Sequence, residues 1–308
     1  MKAPLRSILI GDTSRYPSEF CFCVNQGMTL LGHWHREIDI RLPIDVVQRM
    51  CEIVRPQVLF CHMLLWSPAG PTHTAALLDL CASWRKRGTR VLIHDGDARA
   101  ETRWPHDVSE SVDLALCNHT ADRSTWNIPQ LRWPYGAFTQ REMAAPVEAF
   151  RCRLAFAGRL GGGIYQDRTD LVTRCQQWLG ADMKVFPTPE VQHTLFRTPE
   201  LAASAGAVLG FGRPEAPGWT DVRVTQYPGS GGVLLHDDVQ GLLEPGVHYV
   251  PLPRDPDAVD LKMAVRRAEL AGPQIRPAAF AFVQRFHSSI PRVLAALAAV
   301  GLARESAR

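Results

Sequence analysis

The chain has 308 residues, 46% of them hydrophobic and 21% charged, with a net charge of +3. That length exceeds what one hydrophobic core supports and favours two domains of about 150 residues. The ordinary composition excludes a disordered, collagenous or disulfide-framework protein. No stretch reaches the ~20 apolar residues of a membrane span, and the amino-terminal MKAPLRSILIGD lacks the long apolar region and cleavage site of a secretion signal, so the sequence reads as a cytoplasmic protein. Its eight cysteines are then expected to be reduced and mostly buried. Only four of the 34 basic residues are lysine. Arginine forks suit phosphate recognition, and codon bias in a GC-rich genome explains the same excess.

In chain order, residues 7–10 form a short apolar strand closed by Gly11-Asp12, and 20–31 read as a packed helix stopping at Gly32. Residues 37–42 alternate with period two, 43–54 read as a helix and 57–64 as a buried strand. A helix over 72–87, ended by Gly88, and strands over 90–94 and 112–117 continue the rhythm. The stretch TQREMAAPVEAF (139–150) reads as a linker that separates a domain over 1–140 from one over 150–308. In the second, strands over 153–157, 183–186, 207–211, 233–235 and 248–252 are interleaved with helices over 168–179, 199–205 and 221–227. Two long helices, 256–271 and 276–300, close the chain. Strands alternating with helices predict parallel sheets with right-handed crossovers. The fold class is therefore α/β, with two Rossmann-like doubly wound domains and a ligand cleft at the carboxyl ends of the strands.

Two segments carry the strongest chemical pattern. In residues 218–246 (GWTDVRVTQYPGSGGVLLHDDVQGLLEPG) a loop with Thr220 and Asp221 opens a short helix bearing Arg223, Gln226 and Tyr227. A helix start offers free backbone N–H groups to a diphosphate, and Arg223 would add charge-assisted bonds. Gly229, Gly231 and Gly232 follow; they suit a close approach to a ligand and equally a helix stop and tight turn. In residues 154–168 (LAFAGRLGGGIYQDR) a strand ends at Gly158, Arg159 precedes a glycine loop, and Arg168 opens the next helix. Arg159 and Arg168 suit phosphates, or surface ion pairs with Asp167 or Asp170.

These segments resemble the carboxyl-terminal signature of GT-B glycosyltransferases, particularly the spore-maturation-protein-like group and compact phage-type DNA glycosyltransferases. The family order is kept in Arg223, Gln226, Gly229, Gly231-Gly232, Val233 to Leu235, Gly246 and Tyr249. One departure is Gln226, which stands where the family carries the acid that holds the ribose hydroxyls; an amide can still bond a diol as a neutral partner. The resemblance implies transfer of a sugar from a nucleoside-diphosphate sugar, UDP before GDP, to an acceptor hydroxyl. Arg159, Arg168, Asp221, Arg223, Gln226, Gly231 and Gly232 would hold the donor, and Gly158 and Tyr227 would line the cleft. It also implies no bound metal and no resident cofactor.

The first domain should hold the acceptor. Asp95, in His94-Asp95-Gly96-Asp97 after the strand RVLIH, is the first candidate for a general base, with His94, Asp97 and Asp12 as competitors; Asp95-Gly96 also suits a plain tight turn. The family's Pro-Tyr element matches Pro134-Tyr135-Gly136 and places Tyr135 in the cleft. The acceptor reading is a 5-hydroxymethyl pyrimidine in double-stranded DNA, with Trp66, Trp104, Trp126 or Trp133 filling the gap left by a flipped base. The rivals are a saccharide or cell-surface acceptor and a non-catalytic nucleotide-sugar-binding module. His62 and His119 have no metal-ligand spacing and read as satisfied core groups.

Overall fold

The computed structural model describes residues 3–11, 19–62, 71–96, 108–120, 124–158, 160–161, 166–187, 197–212, 218–237 and 239–303. They form two compact units: Met1–Gly136 with Glu215–Trp219 and Ser289–Arg308, and Ala137–Pro214 with Thr220–Ser288. The last twenty residues thus belong to the first unit, whereas the sequence reading keeps 150–308 together.

The first unit is one parallel sheet built from β1 (Arg6–Gly11), β2 (Trp34–Asp39), β3 (Val58–His62), β4 (Arg90–Asp95), β5 (Leu114–Cys117) and β6 (Gln130–Arg132). Its order is β2-β1-β3-β4-β5-β6. Strands buried on both faces explain the continuous apolar runs SILI, VLFC and VLI. On one face Ile8, Ile10, Leu59, Val91 and Ile93 pack against α2 (Ile44–Val54) and α3 (Pro71–Lys86). On the other, Leu9, Phe60, Leu92 and Leu116 pack against α1 (Glu19–Leu30) and against Val293, Ala296 and Leu297 of the carboxyl-terminal helix. That helix lies close on α1 because Gly27 has no side chain: a Cβ there would sit 2.5 Å from Val293 and 2.7 Å from the Ser289 carbonyl oxygen. All eight cysteines are free and seven are buried.

The second unit holds β7 (Leu154–Gly158), β8 (Met183–Pro187), β9 (Ala207–Leu209), β10 (Leu234–His236) and β11 (Val250–Pro251), all parallel, in the order β11-β10-β9-β7-β8. Between them run α4 (Gln166–Leu179), α5 (Thr198–Ser204) and α6 (Arg223–Gln226), followed by α7 (Ala258–Phe286). The chain ends in α8 (Ser289–Ala299) of the first unit. The two expected closing helices differ in their break point. α7 runs unbroken through Pro273 and Pro277, because one buried stripe, Leu261, Ala264, Val265, Ala268, Gly272, Ile275, Ala279 and Val283, crosses both prolines. Packing along that stripe outweighs the cost of the missing N–H groups. α7 starts at a reciprocal capping box between Asp257 and Asp260. Its Arg276 donates to the carbonyls of Ala205, at 2.6 Å, and Gly231, at 2.7 Å.

Candidate functional site

Both sheets have a topological switch point, where the chain's first strand has its successors on opposite sides; ligands of doubly wound sheets bind at the carboxyl ends of the strands there. In the second unit it lies between β7 and β9, and polar side chains gather around it. Asp221 and Arg223 are buried, and Arg223 Nη1 donates to both Asp221 oxygens at 2.8 Å. Its Nε donates to the Ala157 carbonyl at 2.9 Å and its Nη2 to the same oxygen. Tyr227, itself buried, bonds Arg223 through its hydroxyl. The guanidinium lies over the Phe156 ring, 5.2 Å from its centre. Burial opposes the charges, but Asp221 and Tyr227 beside it hold Arg223 above its ordinary range. Burial likewise opposes ionisation of Asp221, and Arg223, Arg168 and His236 together pull it below the usual carboxylate value. His236 at the end of β10 meets Asp237 at 3.1 Å, and Asp237 accepts from the Gly212 N–H at 2.8 Å.

This geometry departs from the sequence expectations for six residues. Arg223 is turned inward and tied to Asp221, Ala157 and Tyr227, so it fastens the end of β7 to α6 rather than facing a diphosphate. Asp221 accepts from the Arg223 backbone N–H at 3.1 Å; its carboxylate takes the place at the start of α6 that the sequence reading gives to a phosphate. Gly158 leaves room for the Arg223 guanidinium, which a Cβ would strike, rather than for a ligand. Gly231 and Gly232 are buried: a Cβ on Gly231 would meet Met143 and one on Gly232 would meet Ala202 and the Tyr227 carbonyl. They make the helix stop and close packing. Tyr227 belongs to the core of the unit, not to a cleft wall.

Two expected donor residues stand beside this cluster. Arg168 stands in the first turn of α4, half-buried, close enough to act on Asp221. Gln226 is 3% exposed and its Nε2 has no hydrogen-bond partner among the described residues, as a donor awaiting a hydroxyl would be. Arg159, Asp12 and Asp97, with Trp66 and Trp104, lie outside the described residues.

In the first unit the switch point lies between β1 and β3, and the polar groups are at the ends of β3, β4 and β5. Strand alternation sends Asp95 and His94 to opposite faces. Asp95, 2% exposed, accepts from or shares a proton with His119 Nε2 at 2.7 Å. Cys117 is the third member of this set, whose donor atoms lie within 4.8 Å of one another. Such a set can hold a divalent ion, although Asp95 and His119 already answer each other. On the opposite face His94 Nδ1 meets His62 Nδ1 at 3.0 Å, because the β3–β4 register sets His62 beside His94. Burial, then the His62 and His119 rings, hold His94 well below the ordinary imidazole range, and burial pushes His62 down to about 3. Tyr135 does come to this place, its hydroxyl donating to the Gly96 carbonyl at 3.3 Å with its ring centre 5.7 Å from that of His94. Trp219, which the sequence reading does not single out, donates to the same carbonyl at 3.0 Å. Trp126 and Trp133 are core residues, 3% and 0% exposed, and are not placed to stack on a base.

A hollow of about 560 Å³ opens at the opposite, amino-terminal edge of this sheet, lined by Arg6, Arg55, Trp84 and Arg87 among others. Arg55 and Arg87 there follow the ends of α2 and α3, where cations offset the helix dipole. That accounts for their presence without a ligand.

No protein-family model matches the sequence, and no curated protein matches it. Solved structures do. HepE of Anabaena, in complex with UDP and glucose, superposes with a TM-score of 0.59 at 11% identity, covering 96% of this chain and 99% of that one. The lipopolysaccharide outer core galactosyltransferase WaaB gives 0.52 at 9% identity over 96% and 98%. A UDP-N-acetylglucosamine 2-epimerase gives 0.50 at 10% identity over 99% of both chains. These neighbours span transfer and epimerisation of sugars, and at such identity the likeness establishes architecture alone. The chain has the GT-B fold: two parallel-sheet Rossmann-like units of six and five strands.

Proposed function

We propose that the protein is a glycosyltransferase that takes a sugar from a nucleoside-diphosphate donor, UDP before GDP, and passes it to an acceptor hydroxyl. The observation that carries this reading is the polar cluster at the β7–β9 switch point, where Arg168 faces a buried, fully paired Asp221–Arg223 scaffold and Gln226 offers an unpartnered amide. The fold neighbour that holds UDP supports it. Arg168 at the start of α4 meets the phosphates, with Arg159 as its partner; Gln226 bonds a ribose hydroxyl; Arg223, Asp221 and Tyr227 set the shape of the site without touching the leaving group. On the acceptor side His119, oriented by Asp95, is the base that takes the hydroxyl proton, with Asp95 in the orienting role rather than the first-line one.

For the acceptor, the reading from sequence is a hydroxymethylated pyrimidine in DNA, and its rival is a saccharide. The test incubates the protein with UDP- and GDP-sugars and, in separate arms, hydroxymethylated DNA, plain DNA and an oligosaccharide panel, followed by mass analysis. Transfer in one acceptor arm is expected. Donor binding with neither transfer nor epimerisation of the sugar would instead identify a non-catalytic module, and epimerisation alone would overturn transfer.

A further inference from the structure

The His62–His94 pair has no part in the donor site or in the Asp95–His119 pair, and its hydrogen bonding is incomplete in an informative way. Both rings are buried, 2% and 1% exposed, and meet only through their Nδ1 atoms, 3.0 Å apart. Burial holds both neutral. A bond between two neutral Nδ1 atoms needs one to carry the proton and the other to be bare. The ring that donates therefore has a bare Nε2, and the ring that accepts carries its proton on Nε2. Neither Nε2 has a partner among the described residues. The pair thus ends in one unanswered acceptor and one unanswered donor, each costly to leave buried.

The described residues around the pair do not supply the missing groups. Phe20 stacks on both rings, at 4.2 Å from His94 and 5.3 Å from His62, with Trp133 against Phe20. Gly11, at the end of β1, would meet the His62 Cβ at 3.3 Å if it bore a side chain. The pair therefore sits beside the β1–β3 switch point, where a doubly wound sheet takes its ligand.

We propose that His62 and His94 form a hydroxyl-binding pair, the bare Nε2 accepting from and the protonated Nε2 donating to hydroxyl groups of the acceptor. A hydroxyl both donates and accepts, so it satisfies either end, whereas a carboxylate or phosphate answers only the donor and an ammonium only the acceptor. Saccharide hydroxyls and the hydroxymethyl group of a modified pyrimidine share this chemistry. The proposal rests on the transfer reading for the word acceptor, and on the histidine geometry for the rest.

The test uses the full chain labelled with ¹⁵N-histidine, its His62 and His94 resonances assigned from single His→Leu variants. It is titrated with methyl α-D-glucopyranoside in one arm and 5-hydroxymethylcytidine in the other, with UDP present. The expected result is complementary tautomers in the free protein, one bare and one protonated Nε2, and movement of both Nε2 resonances with one probe. Identical tautomers, or resonances that neither probe moves, overturn the proposal. UDP binding in the same sample reports separately on the transfer reading. The His62→Leu/His94→Leu double variant gives a second check: removing two unanswered polar atoms should leave the melting temperature unchanged or higher and abolish binding of the probe taken by the wild type, as read by calorimetry. A lower melting temperature with probe binding retained overturns it.

Discussion

The two switch points solve the problem of buried polar groups in opposite ways. At β7–β9 the charged groups answer one another: Asp221 and Arg223 share two 2.8 Å bonds, and Arg223 uses its remaining donors on Ala157 and Tyr227, beside the neutral amide of Gln226. At the ends of β3 and β4 the His62–His94 pair is neutral, and its two Nε2 atoms have no partner among the described residues. Paired buried charges are scaffolding, because their bonding capacity is spent within the protein. Unanswered buried atoms mark where a ligand's own groups belong.

Breaking the scaffold should have the largest effect. Asp221→Ala leaves a buried guanidinium without its counter-charge, and urea unfolding should show a loss of about 3–5 kcal/mol. Gly158→Ala attacks the same network from the other side by driving a methyl group into the guanidinium; it should destabilise by about 1–3 kcal/mol. A stability near wild type for both variants would mean that Arg223 is not anchored as described.

Acid should expose the histidine region next. His62 titrates at about 3 in the fold against an ordinary value of 6.5. Between these values the unfolded chain binds a proton that the fold refuses, so stability falls as pH drops through that window. The slope is at most about 1.4 kcal/mol per pH unit per ring. His94, shifted in the same direction, adds its own slope, and His35, lowered to about 4 by burial, adds a third. Unfolding free energies measured from pH 7 to pH 4 should therefore decline, and His62→Leu should flatten the decline by one ring's share. An unchanged slope in that variant would contradict a buried neutral His62.

Smaller effects should separate the donor contacts from the scaffold. Gln226→Ala should leave unfolding nearly unchanged and weaken UDP binding by roughly tenfold, the worth of one buried hydrogen bond, as read by calorimetry. Asp257→Ala, at the cap of α7, should cost about 1 kcal/mol of stability and leave UDP affinity alone.

Most of the architecture is legible in the sequence because buried parallel strands write themselves as apolar runs between helical periods, and the β1, β3, β4 and β7 runs are unmistakable in that sense. The long helix through Pro273 and Pro277 is not, since a proline signals a break locally and only the buried stripe on either side shows that packing prevails. The role of Arg223 is hidden for a related reason: an arginine beside glycines reads alike whether it faces a phosphate or an aspartate two residues away. The His62–His94 pair does have a sequence signature. VLFCH and VLIHD are apolar strands with histidine near their ends, and in-register parallel pairing sets those histidines side by side. Residues 32 apart cannot be matched until the register is known. Return of α8 to the first unit depends on the small surface of Gly27, which no local pattern reveals.

The proposed transfer depends on the second unit binding a nucleoside diphosphate at the β7–β9 switch point. Hydrogen exchange of the full chain with and without UDP tests it most directly. Slowed exchange concentrated in the first turn of α4 around Arg168 and in the segment from Asp221 to Gln226 is the predicted result. No protection in either segment at saturating UDP or GDP, or protection confined to the first unit, would contradict it.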